Sequence, residues 1–98
     1  AHRENAMKFS ELELEYSETS GYYGARVHYG QYILSVINKK PSVLYEIAVM
    51  DAQNNNSFVR LPGIIDSTDD VRAGLTQDDV EAVLTKMYTI TGNSGILI

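Results

Sequence analysis

Residues 25–37 read Ala-Arg-Val-His-Tyr-Gly-Gln-Tyr-Ile-Leu-Ser-Val-Ile, and this stretch decides the fold. Its first part alternates between apolar and polar side chains, and its last part is rich in β-branched and aromatic residues. Two such runs that are joined by the Gly30-Gln31 connection are typical of a tight β-hairpin. The sequence therefore predicts two antiparallel strands at 25–29 and 32–37.

Further strands are predicted on both sides of this hairpin. Residues 11–16 alternate strictly between Glu and an apolar side chain, which is the pattern of a half-buried strand. Residues 44–51 also alternate, and 58–61 follow them as a short partner strand after an Asn-rich turn. Residues 38–42 contain two lysines and a proline, so we expect a loop there.

One amphipathic helix is predicted near the C-terminus, over residues 77–90. Thr76 stands three residues before Asp79, which resembles a capping box, and Gly92 supplies a stop. Between these signals the apolar residues recur at helical spacing and form one stripe, which comprises Val80, Val83, Leu84, Met87 and Tyr88.

Two shorter segments complete the reading of the chain. We expect residues 64–74 to form a short helical turn that ends at Gly74. We expect residues 96–98 either to form an added strand or to pack into the core. Several strands followed by one helix indicate the α+β class, here an antiparallel β-meander of about four to five strands packed on one C-terminal amphipathic helix. Because that helix has a single apolar stripe, it covers only one face of the sheet.

The 98 residues leave room for one domain, which we expect to span 7–98. Residues 1–6 are polar and patternless, and we expect them to be an appended extension before a natural start at Met7, or a disordered tail.

No apolar run approaches the roughly 20 residues of a membrane helix, and an apolar signal-peptide region is missing at the start. The sequence therefore predicts a cytoplasmic protein without membrane attachment.

The composition argues against several kinds of chemistry. The chain has no cysteine, which excludes a disulfide scaffold, a thiolate zinc site and a cysteine nucleophile. Its net charge of −5 disfavours direct nucleic-acid binding, which needs clustered Lys and Arg. No phosphate-binding glycine loop or nucleophile elbow occurs, and His28 is the only histidine after residue 6. We therefore expect a protein that is not an enzyme and binds no metal or cofactor.

The densest group of carboxylates surrounds the start of the predicted helix. It comprises Asp66, Asp69, Asp70, Asp78 and Asp79. These residues are interpreted mainly as helix caps and solubilising charges, since their spacing does not match a calcium-binding EF-hand loop. Two functional alternatives stay open, which are binding of a divalent cation and mimicry of nucleic-acid phosphates.

Tyrosine is abundant in the part of the chain that is predicted to form the sheet. The six tyrosines there are Tyr16, Tyr22, Tyr23, Tyr29, Tyr32 and Tyr45. Neighbouring residues of a strand point to opposite faces, so we expect Tyr22 or Tyr23 to be exposed. Exposed tyrosines are enriched at protein–protein interfaces, although ordinary cross-strand packing is the alternative. The candidate binding surface is a sheet face or hairpin that carries Tyr22, Tyr23, Arg26, His28 and Tyr32.

Residues 22–50 contain Gly-Ala-Arg-Val-x-Tyr, Tyr-Ile-Leu-Ser-Val-Ile and Leu-Tyr-Glu-Ile-Ala-Val-Met, and residues 75–81 read Leu-Thr-Gln-Asp-Asp-Val-Glu. With these runs, most of 7–92 resembles small proteins encoded by phages and prophages, which have no assigned activity. The resemblance implies no functional residue. It implies a non-enzymatic accessory or inhibitor protein that binds a host protein in the host cytoplasm. A structural role through self-association is the alternative from a different class.

Overall fold

The hairpin lies at the centre of the sheet in the computed structural model, which describes residues 6–39 and 44–98. Its strands are β2 (Tyr22–Tyr29) and β3 (Tyr32–Asn38). Tyr29 pairs with Tyr32 across the turn, where Gly30 has a φ of 64° that a two-residue hairpin turn requires. The predicted hairpin is confirmed, and its first strand begins at Tyr22 rather than at residue 25.

Five flanking strands complete an antiparallel sheet. They are β1 (Glu15–Ser17), β4 (Tyr45–Asp51), β5 (Ser57–Val59), β6 (Val71–Leu75) and β7 (Ile96–Leu97). The first five strands follow one another as a meander, β6 pairs with β4 beside β5, and β7 pairs with β2 beside β1. The α+β class is confirmed. The tail at 96–98 supplies an added strand, one of the two predicted alternatives.

Three predicted segments need correction. The short partner strand predicted at 58–61 is β5, which begins one residue earlier and ends at Val59. Only the end of 11–16 joins the sheet, as β1, because the chain before it makes a 3₁₀ turn at Phe9–Glu11. The segment 64–74 forms no helical turn, because its last residues pair with β4 as part of β6. The Ser67 hydroxyl instead accepts the backbone N–H of Asp69, and such local bonds compete with helix formation.

The predicted helix is present as α1 (Gln77–Thr91). The Thr76 hydroxyl accepts the Asp79 N–H at 3.1 Å, and the Asp79 carboxylate accepts the Thr76 N–H at 2.9 Å. Gly92 ends the helix in the left-handed conformation, with its N–H donating to the Tyr88 carbonyl. Four of the five residues of the predicted stripe are buried, namely Val80, Val83, Leu84 and Met87, and Tyr88 is partly buried.

The core lies between α1 and one face of the sheet, which we call the helix-side face. Its strand residues include Val27, Tyr29, Leu34, Val36, Ile47 and Val49. Leu12 and Leu14 also pack against it, so the alternation at 11–16 predicted the direction of these side chains correctly. The opposite face, which we call the outer face, has no helix over it within residues 6–39 and 44–98.

Two predictions fall largely outside the described residues. The extension or tail at 1–6 includes the undescribed residues 1–5, and the loop at 38–42 includes the undescribed residues 40–42. Within the described ranges, no helix has the length and apolarity needed to cross a membrane.

The N-terminal cap of α1 leads to a pH-dependent prediction. The hydrogen bond from the Thr76 backbone N–H holds the pKa of Asp79 below its ordinary value. A lowered pKa in the folded state stabilises the fold above the ordinary aspartate pKa, and this contribution is lost as pH falls through the lowered value. We therefore expect Asp79→Ala to destabilise at neutral pH and to cost progressively less in acid.

Urea denaturation of Asp79→Ala over a pH series checks this expectation. Asp78→Ala is the matched control, because Asp78 lies in the same helical turn but makes no capping-box bond. Thr76→Ala, which removes the other half of the box, should cost about 1 kcal/mol at neutral pH. A cost of Asp79→Ala that stays constant down to strongly acidic pH would contradict the capping interpretation.

Candidate protein-binding surfaces

The register of the sheet arranges the side chains of the outer face in rows across the strands. Residues that pair directly on neighbouring antiparallel strands project from the same face. One row contains Ile96, His28, Ile33, Met50 and Phe58. The adjacent row contains Ile98, Arg26, Ser35, Ala48 and Val71, with the Ile98 N–H donating to the Arg26 carbonyl. We call these two rows the apolar half of the outer face.

The apolar half is buried in its middle and exposed at its two margins. Ile33 and Met50 are 5% and 8% exposed in the isolated chain. Phe58 is 55% exposed at one margin, and Ile96 and Ile98 are 71% and 63% exposed at the other. Ile96 and Ile98 adjoin on the same face, and adjoining exposed apolar side chains often mark an interaction site on a soluble protein. The arrangement therefore makes the apolar half a candidate docking surface.

A cluster of tyrosines surrounds the turn between β1 and β2. Tyr16 and Tyr23 pair across these strands with ring centroids 5.2 Å apart, and Tyr16 is 55% exposed. On the outer face of the same turn, the Lys39 Nζ lies 5.7 Å from the centre of the Tyr22 ring, within cation–π range. We call Tyr16, Tyr22, Tyr23 and Lys39 the tyrosine cluster.

An open cleft of about 410 Å³ lies beside the tyrosine cluster. Charged and polar side chains in its lining include Glu15, Tyr22 and Arg26. Gly24 also lines the cleft, and a Cβ at that position would lie 3.2 Å from Ile37. The cleft combines a carboxylate, a guanidinium and aromatic surface, so it can receive a partner side chain and hydrogen-bond to it.

The five predicted binding residues divide between the two faces of the sheet. Tyr22, Arg26 and His28 lie on the outer face, whereas Tyr23 and Tyr32 lie on the helix-side face. Tyr22 and Tyr23 thus point to opposite faces, as predicted, and both are partly exposed. The outer face is not rich in tyrosine, because Tyr22 is the only tyrosine that the described strands place there.

His28 lies on the outer face without being fully solvated. It is partly buried, and its Nε2 atom has no hydrogen-bond partner within the described part of the chain. The neighbouring Tyr29 is fully buried with a similarly unpartnered hydroxyl, and this burial raises the pKa of Tyr29. Among the described residues, no group of three His, Asp or Glu side chains could hold a metal ion.

The acidic patch is engaged in structural contacts. The Asp66 carboxylate accepts a backbone N–H at 2.7 Å, and that of Asp70 accepts the Arg60 Nε at 3.2 Å. Asp79 belongs to the helix cap. Three of the five carboxylates thus hold local structure, which favours the structural interpretation of the patch over a cation site or a nucleic-acid mimic.

The sequence analysis missed the apolar half of the outer face. The available signals were Ile33 and Met50, which are large apolar residues at the outward positions of otherwise alternating strands. Phe58 and Ile96 lie far apart in sequence, and only the register brings them into the same row. Alternation within one strand was therefore insufficient to find this surface.

The geometry defines an α+β domain with a seven-stranded antiparallel sheet, one covering helix and two candidate docking surfaces. No protein-family model, no curated protein and no solved structure matches the chain. The resemblance to phage-encoded proteins stays a prediction, and the proposals below are argued from the two surfaces.

Proposed function

We propose that this chain is a non-enzymatic protein-binding module and that the tyrosine cluster, with its adjacent cleft, is the docking surface. The observation that carries this proposal is the exposed Tyr16 ring held against Tyr23 at a turn that also presents Tyr22. Tyrosine brings a large contact area at a low cost in conformational entropy, and its hydroxyl can hydrogen-bond to a partner. Such rings often dominate binding energy at protein interfaces.

The cleft indicates which groups a partner would present. An aromatic or aliphatic side chain could pack on the partly exposed Tyr22 ring, which lies on the outer face with Arg26, while a carbonyl or carboxylate of the same segment could accept from Arg26. A second side chain of the partner could pack on the exposed Tyr16 ring, which projects from the other face of the sheet. Glu15 could accept a donor from the same segment. The net charge of −5 opposes a phosphate backbone as the ligand, so we propose a protein partner. A cytoplasmic host protein is the partner that the resemblance to phage proteins implies.

The proposal is tested in two stages. The immobilised chain first captures proteins from a cell lysate, and a retained protein is identified and purified. Calorimetric titration then compares the wild-type chain with Tyr16→Ala and Tyr22→Ala. We expect each variant to weaken binding at least about tenfold, which corresponds to roughly 1.4 kcal/mol.

Phe58→Ala is the matched control, because Phe58 is as exposed as Tyr16, at 55%, but lies in the apolar half of the outer face. It should leave the affinity for the purified partner unchanged. Specific capture of no protein, or equal affinities for the wild-type chain and both tyrosine variants, would contradict the proposal.

A further inference from the structure

We infer that the apolar half of the outer face binds a second copy of this chain, face to face, about a two-fold axis that runs parallel to β3. Arg26 and Ser35 of this surface also line the cleft beside the tyrosine cluster, but the exposed apolar side chains that carry the inference lie outside that cleft. Two antiparallel sheets that pack in this way form a sandwich with roughly 10 Å between them. An interface between identical copies must be complementary to itself.

The exposed margins of the apolar half meet this requirement. A two-fold axis along β3, the middle strand, exchanges the β2 side of the face with the β4 side. It therefore places Ile96 of one copy over Phe58 of the other, because both belong to the same row at opposite margins. In the next row the same operation places Ile98 over Val71. One symmetry operation thus covers all four exposed apolar side chains of the apolar half.

The charges of the outer face also suit a second copy. Its strands carry Arg26, Glu15 and Glu46, which sum to −1, whereas the whole chain has a net charge of −5. Two copies can therefore approach through this face with little like-charge repulsion. The axis along β3 also brings Arg26 of one copy over Ala48 of the other, one row away from Glu46. An ion pair between Arg26 and Glu46 can then form across the interface.

Light scattering after size exclusion, over a series of concentrations, tests the inference. We expect the wild-type chain to reach twice its mass of 10.9 kDa. Phe58→Asp and Ile96→Asp should raise the dimer dissociation constant at least about tenfold, because each places a charge in the apolar contact. Ile90→Asp is the matched control, since Ile90 is a 44% exposed apolar residue on α1. It should leave the dimer intact.

A charge exchange tests the orientation of the axis. Arg26→Glu and Glu46→Arg should each weaken the dimer, and the double variant should restore it, because the exchanged pair recreates the contact in both directions. Circular dichroism shows whether each variant is folded. Failure of the double variant to recover dimerisation, when all three variants are folded, would overturn the proposed axis.

Cross-linking provides a readout that does not disturb the apolar contacts. Ser35 lies on β3, so the axis places this residue opposite its own copy. The chain has no native cysteine, so Ser35→Cys gives a single reactive thiol. A short bismaleimide should join two copies of Ser35→Cys but not of Thr89→Cys, in which the thiol lies on the exposed surface of α1. Equal cross-linking of the two variants would count against this interface.

A strictly monomeric wild-type chain at every concentration, or a dimer that Phe58→Asp and Ile96→Asp leave unchanged, would overturn the inference. Neither result affects the proposed function, which is measured through Tyr16→Ala and Tyr22→Ala with a purified partner. Conversely, loss of partner binding in those two variants with an intact dimer would separate the two surfaces experimentally.

Discussion

Leu84→Ala is expected to lower the free energy of unfolding by about 2–5 kcal/mol. Leu84 is fully buried in the stripe of α1, where it belongs to the same core cluster as Val36 and Ile47 of the sheet. Truncation removes apolar burial and leaves a cavity that the surrounding side chains fill only in part. Domains of this size have about 5–15 kcal/mol of total stability, so the loss is a large fraction of it.

Urea denaturation measures this effect, with the dependence on urea concentration expected to stay unchanged. Ile90→Ala is the matched control, because Ile90 lies on the same helix but is 44% exposed. It should cost less than about 1 kcal/mol. A smaller loss for Leu84→Ala than for Ile90→Ala would show that the stripe of α1 is not the face that seats the helix on the sheet.

The hairpin and the helix could be predicted from the sequence because short-range signals define both. Gly30 sets the hairpin turn, and Thr76 and Gly92 set the two ends of α1. β6 was missed for a different reason. Its pairing with β4 joins residues far apart in sequence, while the local Ser and Asp residues before it resemble the start of a helix.

The candidate surfaces were predictable only to the extent that they depend on one strand. The period of two along β2 correctly placed Tyr22 and Tyr23 on opposite faces. It could not show that Tyr32 lies on the helix-side face, because that depends on which face α1 covers. The apolar half required the register of neighbouring strands as well, since a shift of one residue would reverse the direction of every side chain.

Gly95→Ala is expected to destabilise the domain by about 2–5 kcal/mol, or to release β7 from the edge of β2. A Cβ at Gly95 would lie 2.7 Å from the Val27 Cγ1 and 3.0 Å from the Tyr29 ring, which are fully buried. Its φ of 94° is also unfavourable for any residue with a side chain. Hydrogen exchange at Ile98, whose N–H donates to the Arg26 carbonyl, reports whether the strand has detached.

Gly92→Ala separates the two causes of this effect. Gly92 has a φ of 71°, but a Cβ added there would meet no neighbouring atom within 4 Å, so alanine adds backbone strain of about 1–2 kcal/mol without a clash. Equal costs for the two variants, with unchanged exchange at Ile98, would contradict the close packing of Gly95.

Detachment of β7 would also remove Ile96 and Ile98 from the apolar half. Gly95→Ala should therefore weaken the proposed dimer, whereas Gly92→Ala should leave it intact.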